Sequence, residues 1–357
     1  MDSLTQAVLG AALQGAVLGR IQGRRALLYG AALATVPDLD VLVRYADPGS
    51  QMTFHRGLTH SVFVLTAMAL LLAWLVCRMW PQKGYTLGRC FIAFWLVLIT
   101  HPVLDALTVY GTQLLWPLQI TPQSWAAVFI IDPVYTVPLL AAVFYAVAKG
   151  LQGRAVGVLS IALAFSTAYL GFGLAGRMAA EQRLNAAFEH QGIAVTEVRA
   201  VPIAFTALVW RGLAKTPEGD YYEAVSSWFD SEPPELLRLP RNLAAGKVLD
   251  GDPLHDRLRW FTDDWLRYDV VGNALVVTDL RMGIPGNYTF RFQMAERDNT
   301  GEWVVIQPRG WVGGGAASLF DGQKLRLVWQ RIFTQQPPLP LAAWAAQPEG
   351  HAAGARH

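Results

Sequence analysis

A chain of 357 residues with 29 Lys or Arg against 27 Asp or Glu is long enough for two domains and is nearly neutral overall. With no basic stripe interleaved with aromatics, it offers nothing for nucleic acid to bind. Its two isolated cysteines, Cys77 and Cys90, rule against a thiolate zinc site or a disulfide framework, so any metal must be held by His and Asp.

The near-neutral total hides a split. From Met1 to about Met178 the chain is a series of long apolar runs, and after Glu181 it becomes an ordinary mixed sequence. The first part has no glutamate. Its acids are Asp2, Asp38, Asp40, Asp47, Asp105 and Asp132, set against eleven Lys or Arg. Asp2 stands where a secretory leader carries positive charge, so the N-terminus does not read as a signal peptide.

Apolar runs fall at about 4–19, 26–43, 59–79, 87–109, 125–148 and 155–176. A hydrocarbon core of about 30 Å takes roughly 20 helical residues to cross. The last four runs qualify. The second is marginal, and the first is short enough to be tilted, re-entrant or buried in a bundle. Residues 1–178 are therefore expected to form an α-helical polytopic membrane bundle of about five or six helices. The cations Arg20, Arg24 and Arg25, then Arg78, Lys83 and Arg89, then Lys149 and Arg154 occupy alternate loops. By the bias of positive charge towards the cytoplasm, those loops are cytoplasmic. The opposite face then receives Asp2, Asp38, Asp40, His55, His60, His101, Asp105 and Asp132, and the sixth run delivers the C-terminal part to that same extracytoplasmic side.

Three motifs at that face carry the chemistry. PDLD at 37–40 puts two carboxylates on a turn at the end of the second run. FHRGLTHS at 54–61 sets His55 and His60 at the mouth of an uncharged helix. THPVLD at 100–105 puts His101 and Asp105 four apart, on one helical face. Three imidazoles and three carboxylates suit a divalent metal, zinc first and manganese or iron next. Six groups exceed one closed tetrahedral site, so one ion plus a general base, with Asp40 the candidate, or two ions fit the count. A bound metal would acidify water for attack. Arg56, between the two histidines, cannot ligate a metal; its planar fork suits a substrate phosphate or carboxylate, and snorkelling to headgroups is an equal alternative. Ionisable groups within membrane segments are expensive and tend to pair or to function. Asp2 and Asp132 join the ligand candidates, although each also reads as a helix N-cap. Asp47 reads as a turn residue.

MDSLTQAVLGAA, TVPDLDVLV, FHRGLTHS, THPVLDALTVYGTQLLWP and FIIDPVYTVPLL together resemble the membrane-bound metal-dependent hydrolases of bacterial inner membranes, the YdjM-like family. YYEAVSSWFD and DLRMGIPGNYTFRF extend the likeness to a longer subgroup with a C-terminal domain. The resemblance implies metal-assisted hydrolysis in the inner membrane, with Asp38, Asp40, His55, His60, His101 and Asp105 as ligands and Asp2 and Asp132 in support. It supplies no substrate. Some relatives have histidine where this chain has Gln6, and many have glutamate where it has Gly15.

Residues 181–335 read as one soluble α+β domain. PLHDRLRWFTDDWLRY suggests an amphipathic helix with His255 and Asp256 as a solvated pair, and NALVVTDL, YTFRFQMAE and GEWVVIQP suggest strands. YYEAVSSWFD fits helix or strand. Residues 336–357, rich in Pro, Ala and Gly, read as a flexible tail. The functional expectation is hydrolysis of an ester or phosphoester in a lipid or lipid-linked substrate reached from the bilayer. The rivals are a divalent-metal transporter and a structural or regulatory membrane protein whose metal staples helices.

Overall fold

The computed structural model describes residues 1–81, 84–203, 205–312, 322–346 and 351–352; Lys83 and the tail residues 347–350 and 353–357 lie outside them. The chain divides into two compact units, one of Met1–Val43 with His55–Leu174, the other of Arg44–Phe54 with Ala175–His357.

The first unit is helical. Helices α1 (Ser3–Gln22), α4 (Val62–Met79), α5 (Leu87–Ala106) and α7 (Arg154–His190) are long and apolar enough to cross a membrane, whereas α2 (Arg25–Ala34) and α6 (Pro133–Lys149) are shorter. The second apolar run thus yields only ten helical residues. The helix stops there because Pro37 has no amide hydrogen with which to continue its ladder, and Pro37 opens a 3-10 turn over Pro37–Leu42 instead. Helices α1 and α2 cross at glycines. A Cβ on Gly10 would lie 2.4 Å from the Ala34 Cβ, and one on Gly30 would lie 2.2 Å from the Gly10 carbonyl oxygen. That close approach, typical of small-residue packing in membranes, fixes where α2 ends. Leu9, Ala12, Leu27, Leu104, Leu139 and Leu159 form the shared core, and Leu18, Leu65, Ala69, Phe94 and Leu98 form a second one between α1, α4 and α5. At the far end Arg24 donates through Nε to the Val147 carbonyl at 2.6 Å and through Nη2 to that of Ala148 at 3.0 Å. A cation thereby covers the open carbonyls at the C-terminus of α6.

The second unit is built on sheets. Strands β1 (Glu197–Pro202), β2 (Val209–Lys215), β3 (Asp220–Ser227) and β4 (Leu237–Pro240) form an antiparallel meander, and the short helix α8 (Leu243–Gly246) follows it. Strands β5 (Leu266–Val271), β6 (Ala274–Asp279), β9 (Arg291–Arg297), β10 (Trp303–Val312) and β11 (His351–Ala352) form a second sheet in the order β11-β10-β9-β6-β5, while β7 (Gly283–Ile284) and β8 (Asn287–Tyr288) pair with each other. YYEAVSSWFD supplies most of β3. The segment expected as one amphipathic helix divides in two: α9 (Pro253–Thr262) ends where Asp263 and Asp264 take φ of 54° and 55°, and β5 (Leu266–Val271) follows. Two consecutive left-handed residues reverse the chain. His255 is buried rather than solvated, with Nδ1 3.1 Å from the Leu249 carbonyl and Nε2 2.8 Å from the Tyr268 hydroxyl. Residues 44–54 join this unit because α3 (Pro48–Phe54), capped by Asp47, docks beside α9. Arg257 stacks on Phe54 at 3.7 Å and donates to the Thr53 carbonyl at 2.9 Å. Within the span expected as a tail, Leu341–Ala345 forms a short helix with Trp344 buried.

Candidate metal centre

Three chain segments converge at one end of the helical unit. The 3-10 turn after α2 brings Asp38 and Asp40; the loop before α4 brings His55, Arg56 and His60; the last turns of α5 bring His101 and Asp105. In the PDLD turn, the two carboxylates point inwards while Leu39 and Leu42 stay exposed.

His60 Nε2 lies 3.6 Å from Asp38 Oδ1 and 3.3 Å from Asp105 Oδ2; His101 Nε2 lies 3.3 Å and 3.6 Å from the same two oxygens. Four ligands held about 2.1 Å from one tetrahedral ion would be about 3.4 Å apart. Ligand atoms of Asp38, His60, His101 and Asp105 all fall within 4.8 Å of one another.

The surrounding hydrogen bonds show which nitrogens are free. His101 Nδ1 donates to the Ala34 carbonyl at 2.6 Å, so a neutral ring presents an Nε2 lone pair to the carboxylates. Thr59 donates its hydroxyl to Asp40 Oδ2 at 2.9 Å and can accept from His60 Nδ1 at 3.0 Å, which leaves His60 Nε2 in the same state. Outer partners of this kind fix the tautomer of a ligating histidine. His60 Nε2, His101 Nε2 and Asp105 Oδ2 are buried without a hydrogen-bond partner. Lone pairs facing carboxylate oxygens repel unless a cation stands between them. The residues therefore fit a divalent ion.

A second group shares Asp38. Asp38, Asp40 and His55 also bring ligand atoms within 4.8 Å of one another, and His55 Nδ1 sits 2.9 Å from Asp40 Oδ1. Asp40 Oδ2 further accepts from the Arg56 amide at 3.1 Å. Burial works to raise the Asp40 carboxyl pKa, but His55 and the donors around it outweigh burial and hold it below the usual carboxylate range. Asp40 stays anionic, which suits a ligand or an orienting group. The site opens at this group, where Asp38 and His55 are 21% and 17% exposed.

Arg56 is buried inside the cluster with φ of 62°, a left-handed conformation that a non-glycine residue rarely adopts. One guanidinium nitrogen, Nη2, lies 3.1 Å from Asp105 Oδ1, and the plane rests 4.7 Å over the Tyr110 ring. Its Nε and Nη1 have no hydrogen-bond partner.

Asp2 and Asp132 stand apart from both groups. Asp2 caps α1, accepting from the Thr5 amide at 3.0 Å and its hydroxyl at 2.5 Å. Asp132 caps α6, accepting from the Val134 and Tyr135 amides, and its other oxygen takes the Tyr169 hydroxyl at 2.9 Å. Both act as helix caps, and neither belongs to the two groups whose ligand atoms converge. Sequence reading missed Thr59 and the Ala34 carbonyl, and singled out Gln6 only as a place where some relatives have histidine. Gln6 Nε2 lies 3.2 Å from both the His101 carbonyl and Asp105 Oδ1, and the Met1 amino nitrogen also contacts Asp105. Thr59, directly before His60, was the one with a local signal. Gly15, by contrast, lies against Leu27, Leu151 and Leu159, away from the cluster.

Fold and site together define a polytopic helical membrane protein with a candidate His–Asp metal centre and a sheet-rich C-terminal part. The model of the YdjM inner membrane protein family matches residues 1–180, and the chain belongs to that family. It is 28% identical over 167 residues to the uncharacterized protein YfhP of Bacillus subtilis (strain 168), covering 43% of this chain and 48% of that one. It is 35% identical over 96 residues to the inner membrane protein YbcI of Escherichia coli (strain K12), covering 26% of this chain and 54% of that one. The chain thus spans about half the length of the curated relatives it matches. No solved structure matches it.

Proposed function

We propose that this protein is a membrane-embedded metal-dependent hydrolase acting on an ester or phosphoester of a lipid or lipid-linked substrate. The observation that carries this reading is the set of ligand atoms on Asp38, His60, His101 and Asp105, spaced as a tetrahedral ion needs, with His60 Nε2, His101 Nε2 and Asp105 Oδ2 buried and otherwise unsatisfied. Zinc is the first choice for such a nitrogen–oxygen set, with manganese or iron also suited. Once bound, a divalent ion supplies Lewis-acid chemistry, polarising substrate oxygen and acidifying water.

The chain's own groups divide the remaining work. Arg56 Nε and Nη1, aimed into a buried site with no partner, would bind an anionic substrate oxygen and stabilise charge that builds during attack. His55, held by Asp40, stands at the mouth. Asp40, with its oxygens already engaged, orients His55 and Thr59, and with Asp38 and His55 it offers a second ion site. Two adjacent ions would favour a phosphoester over a carboxylic ester.

The lipid part of the proposal is supported by the lip of the site. Leu39, Leu42, Leu58 and Phe63 are at least half exposed beside a cluster of buried charge. An apolar rim at a polar pocket suits a substrate that arrives from the bilayer. Placement of the site and the C-terminal unit on the extracytoplasmic side follows from the basic loops alone. Reporter fusions at the C-terminus that were active only in the cytoplasm would overturn that placement.

Elemental analysis and mass-tagged lipid extracts test the reading together. The purified protein is expected to carry at least one ion and to release product from a lipid fraction, and Arg56→Gln is expected to retain the ion and lose turnover. Full metal occupancy without turnover of any ester would favour the structural staple. Turnover confined to water-soluble esters would remove the lipid.

A further inference from the structure

Helix α7 carries no charged side chain over residues 155–176, a stretch about 33 Å long that matches the hydrocarbon core, and its charges resume at Arg177. The bilayer boundary on that helix therefore lies close to Gly176. Within the second unit, Gly176 is where Trp210 and Trp228 meet α7: a Cβ there would lie 2.7 Å from Trp210 Cζ2 and 3.0 Å from Trp228 Nε1. Two turns further on, Arg183 donates to the Ser227 carbonyl at 2.5 Å. The loop Ser227–Asp230 is thus held at the level where the helix leaves the membrane.

Next to Trp228 stands Phe229, 58% exposed, its ring 5.3 Å from that of Phe333, itself 68% exposed. Phe333 ends the Gly322–Phe333 helix, which is tied to the same loop by Ser227 Oγ donating to the Ile332 carbonyl at 2.6 Å. That helix buries Val328, Arg331 and Ile332, and turns Leu327, Trp329 and Phe333 outward with Arg326 beside them. The acid next to Phe229 in the chain is neutralised, since the Asp230 side chain is 4% exposed and takes both Arg331 nitrogens at 2.6 and 2.7 Å. Exposed Trp and Phe with a neighbouring Arg are the composition of the membrane–water interface.

We propose that Phe229, Trp329 and Phe333 form an aromatic foot that inserts into the lipid headgroup layer where α7 emerges, holding the C-terminal unit against the bilayer. Its partner is lipid, and α7, which carries both the membrane span and the start of this unit, keeps that partner at high local concentration. The proposal is independent of the metal centre.

Nitroxide labels on full-length protein in lipid nanodiscs test it. In a Cys77→Ser, Cys90→Ser background, Phe229→Cys, Trp329→Cys and Phe333→Cys are labelled singly, with Thr300→Cys at an exposed turn as the reference. Oxygen and a water-soluble nickel chelate serve as collision partners. The expected result is an oxygen-to-nickel accessibility ratio severalfold higher at all three foot positions than at residue 300. A ratio equal to that at residue 300 would place the foot in water and overturn the proposal. Protection from both reagents would mean that protein, a second copy or another chain, covers it, and would overturn it equally. Unchanged thermal unfolding of each labelled variant identifies the folded samples on which the ratios are read.

Discussion

Both units bury charge, and they satisfy it differently. In the sheet-rich unit Arg211 grips Glu223, with Nε 2.7 Å from Oε2, and places Nη1 on the Leu280 carbonyl, also at 2.7 Å. Arg281 pairs with Asp279 at 2.8 Å and Arg331 with Asp230 at 2.6 Å. Those charged groups find their partners inside the protein. In the helical unit His60, His101, Asp105 and Arg56 are just as buried, yet each keeps an atom with nothing to bond. A saturated buried pair describes a finished structure. An unsaturated one of mixed sign describes a structure that expects something more, because leaving such a group unmade costs far more than a neutral replacement would.

The comparison breaks if substitutions in the two clusters have the same consequence. The largest expected effect is at the unsaturated cluster: His101→Ala should abolish stoichiometric metal in elemental analysis while leaving the helical content seen by circular dichroism intact. Loss of fold with loss of metal would make the ion a staple, and full retention of metal would dismiss the site. Glu223→Gln should do the reverse. It strands the Arg211 guanidinium, which is expected to cost about 3–5 kcal/mol of stability in denaturant unfolding, with metal content unchanged. A smaller effect is expected from Thr59→Val, which removes the group that directs the His60 ring and one donor to Asp40 while keeping every ligand side chain. Metal affinity measured by chelator competition should weaken by about 10–100-fold, as for other outer partners of a ligating histidine. No change would mean that His60 is held by packing alone.

How much of this could be read from the chain follows from the range of the signal. The apolar runs were legible because a bilayer imposes a length, and the ligand motifs because charge is rare in such runs. His101 and Asp105 needed only helical periodicity to be placed on one face. The convergence of PDLD and HRGLTH upon them came from topology, which the alternating basic loops encode. Asp2 and Asp132 had the right residue type at the right face, and only coordinates distinguish a helix cap from a ligand there. The Ala34 carbonyl is backbone and leaves no mark in composition. The attachment of residues 44–54 to the C-terminal unit rests on Arg257 meeting Thr53 and Phe54, some two hundred positions apart in the chain. No local pattern announces such a pair.

The smallest expected effect lies in the saturated half and turns on His255. It is 2% exposed, with both ring nitrogens engaged, and it reads as structural for the same reason that Arg211 does. Burial lowers its pKa below that of a free imidazole, only partly countered by the Leu249 carbonyl. As pH falls, the unfolded chain therefore takes up the proton first, near about pH 6.5. Stability contributed by neutral His255 is complete above that value. It declines as pH drops towards the lower folded-state pKa, below which the loss stops growing. Thermal unfolding of the full chain between about pH 8 and pH 5 should show this decline, and His255→Gln should flatten it by roughly 1 kcal/mol or less, the worth of a single buried hydrogen bond. The metal content of that variant should match the parent at every pH. A His255→Gln variant that lost metal would tie the sheet-rich unit to the centre and dissolve the contrast between the two clusters.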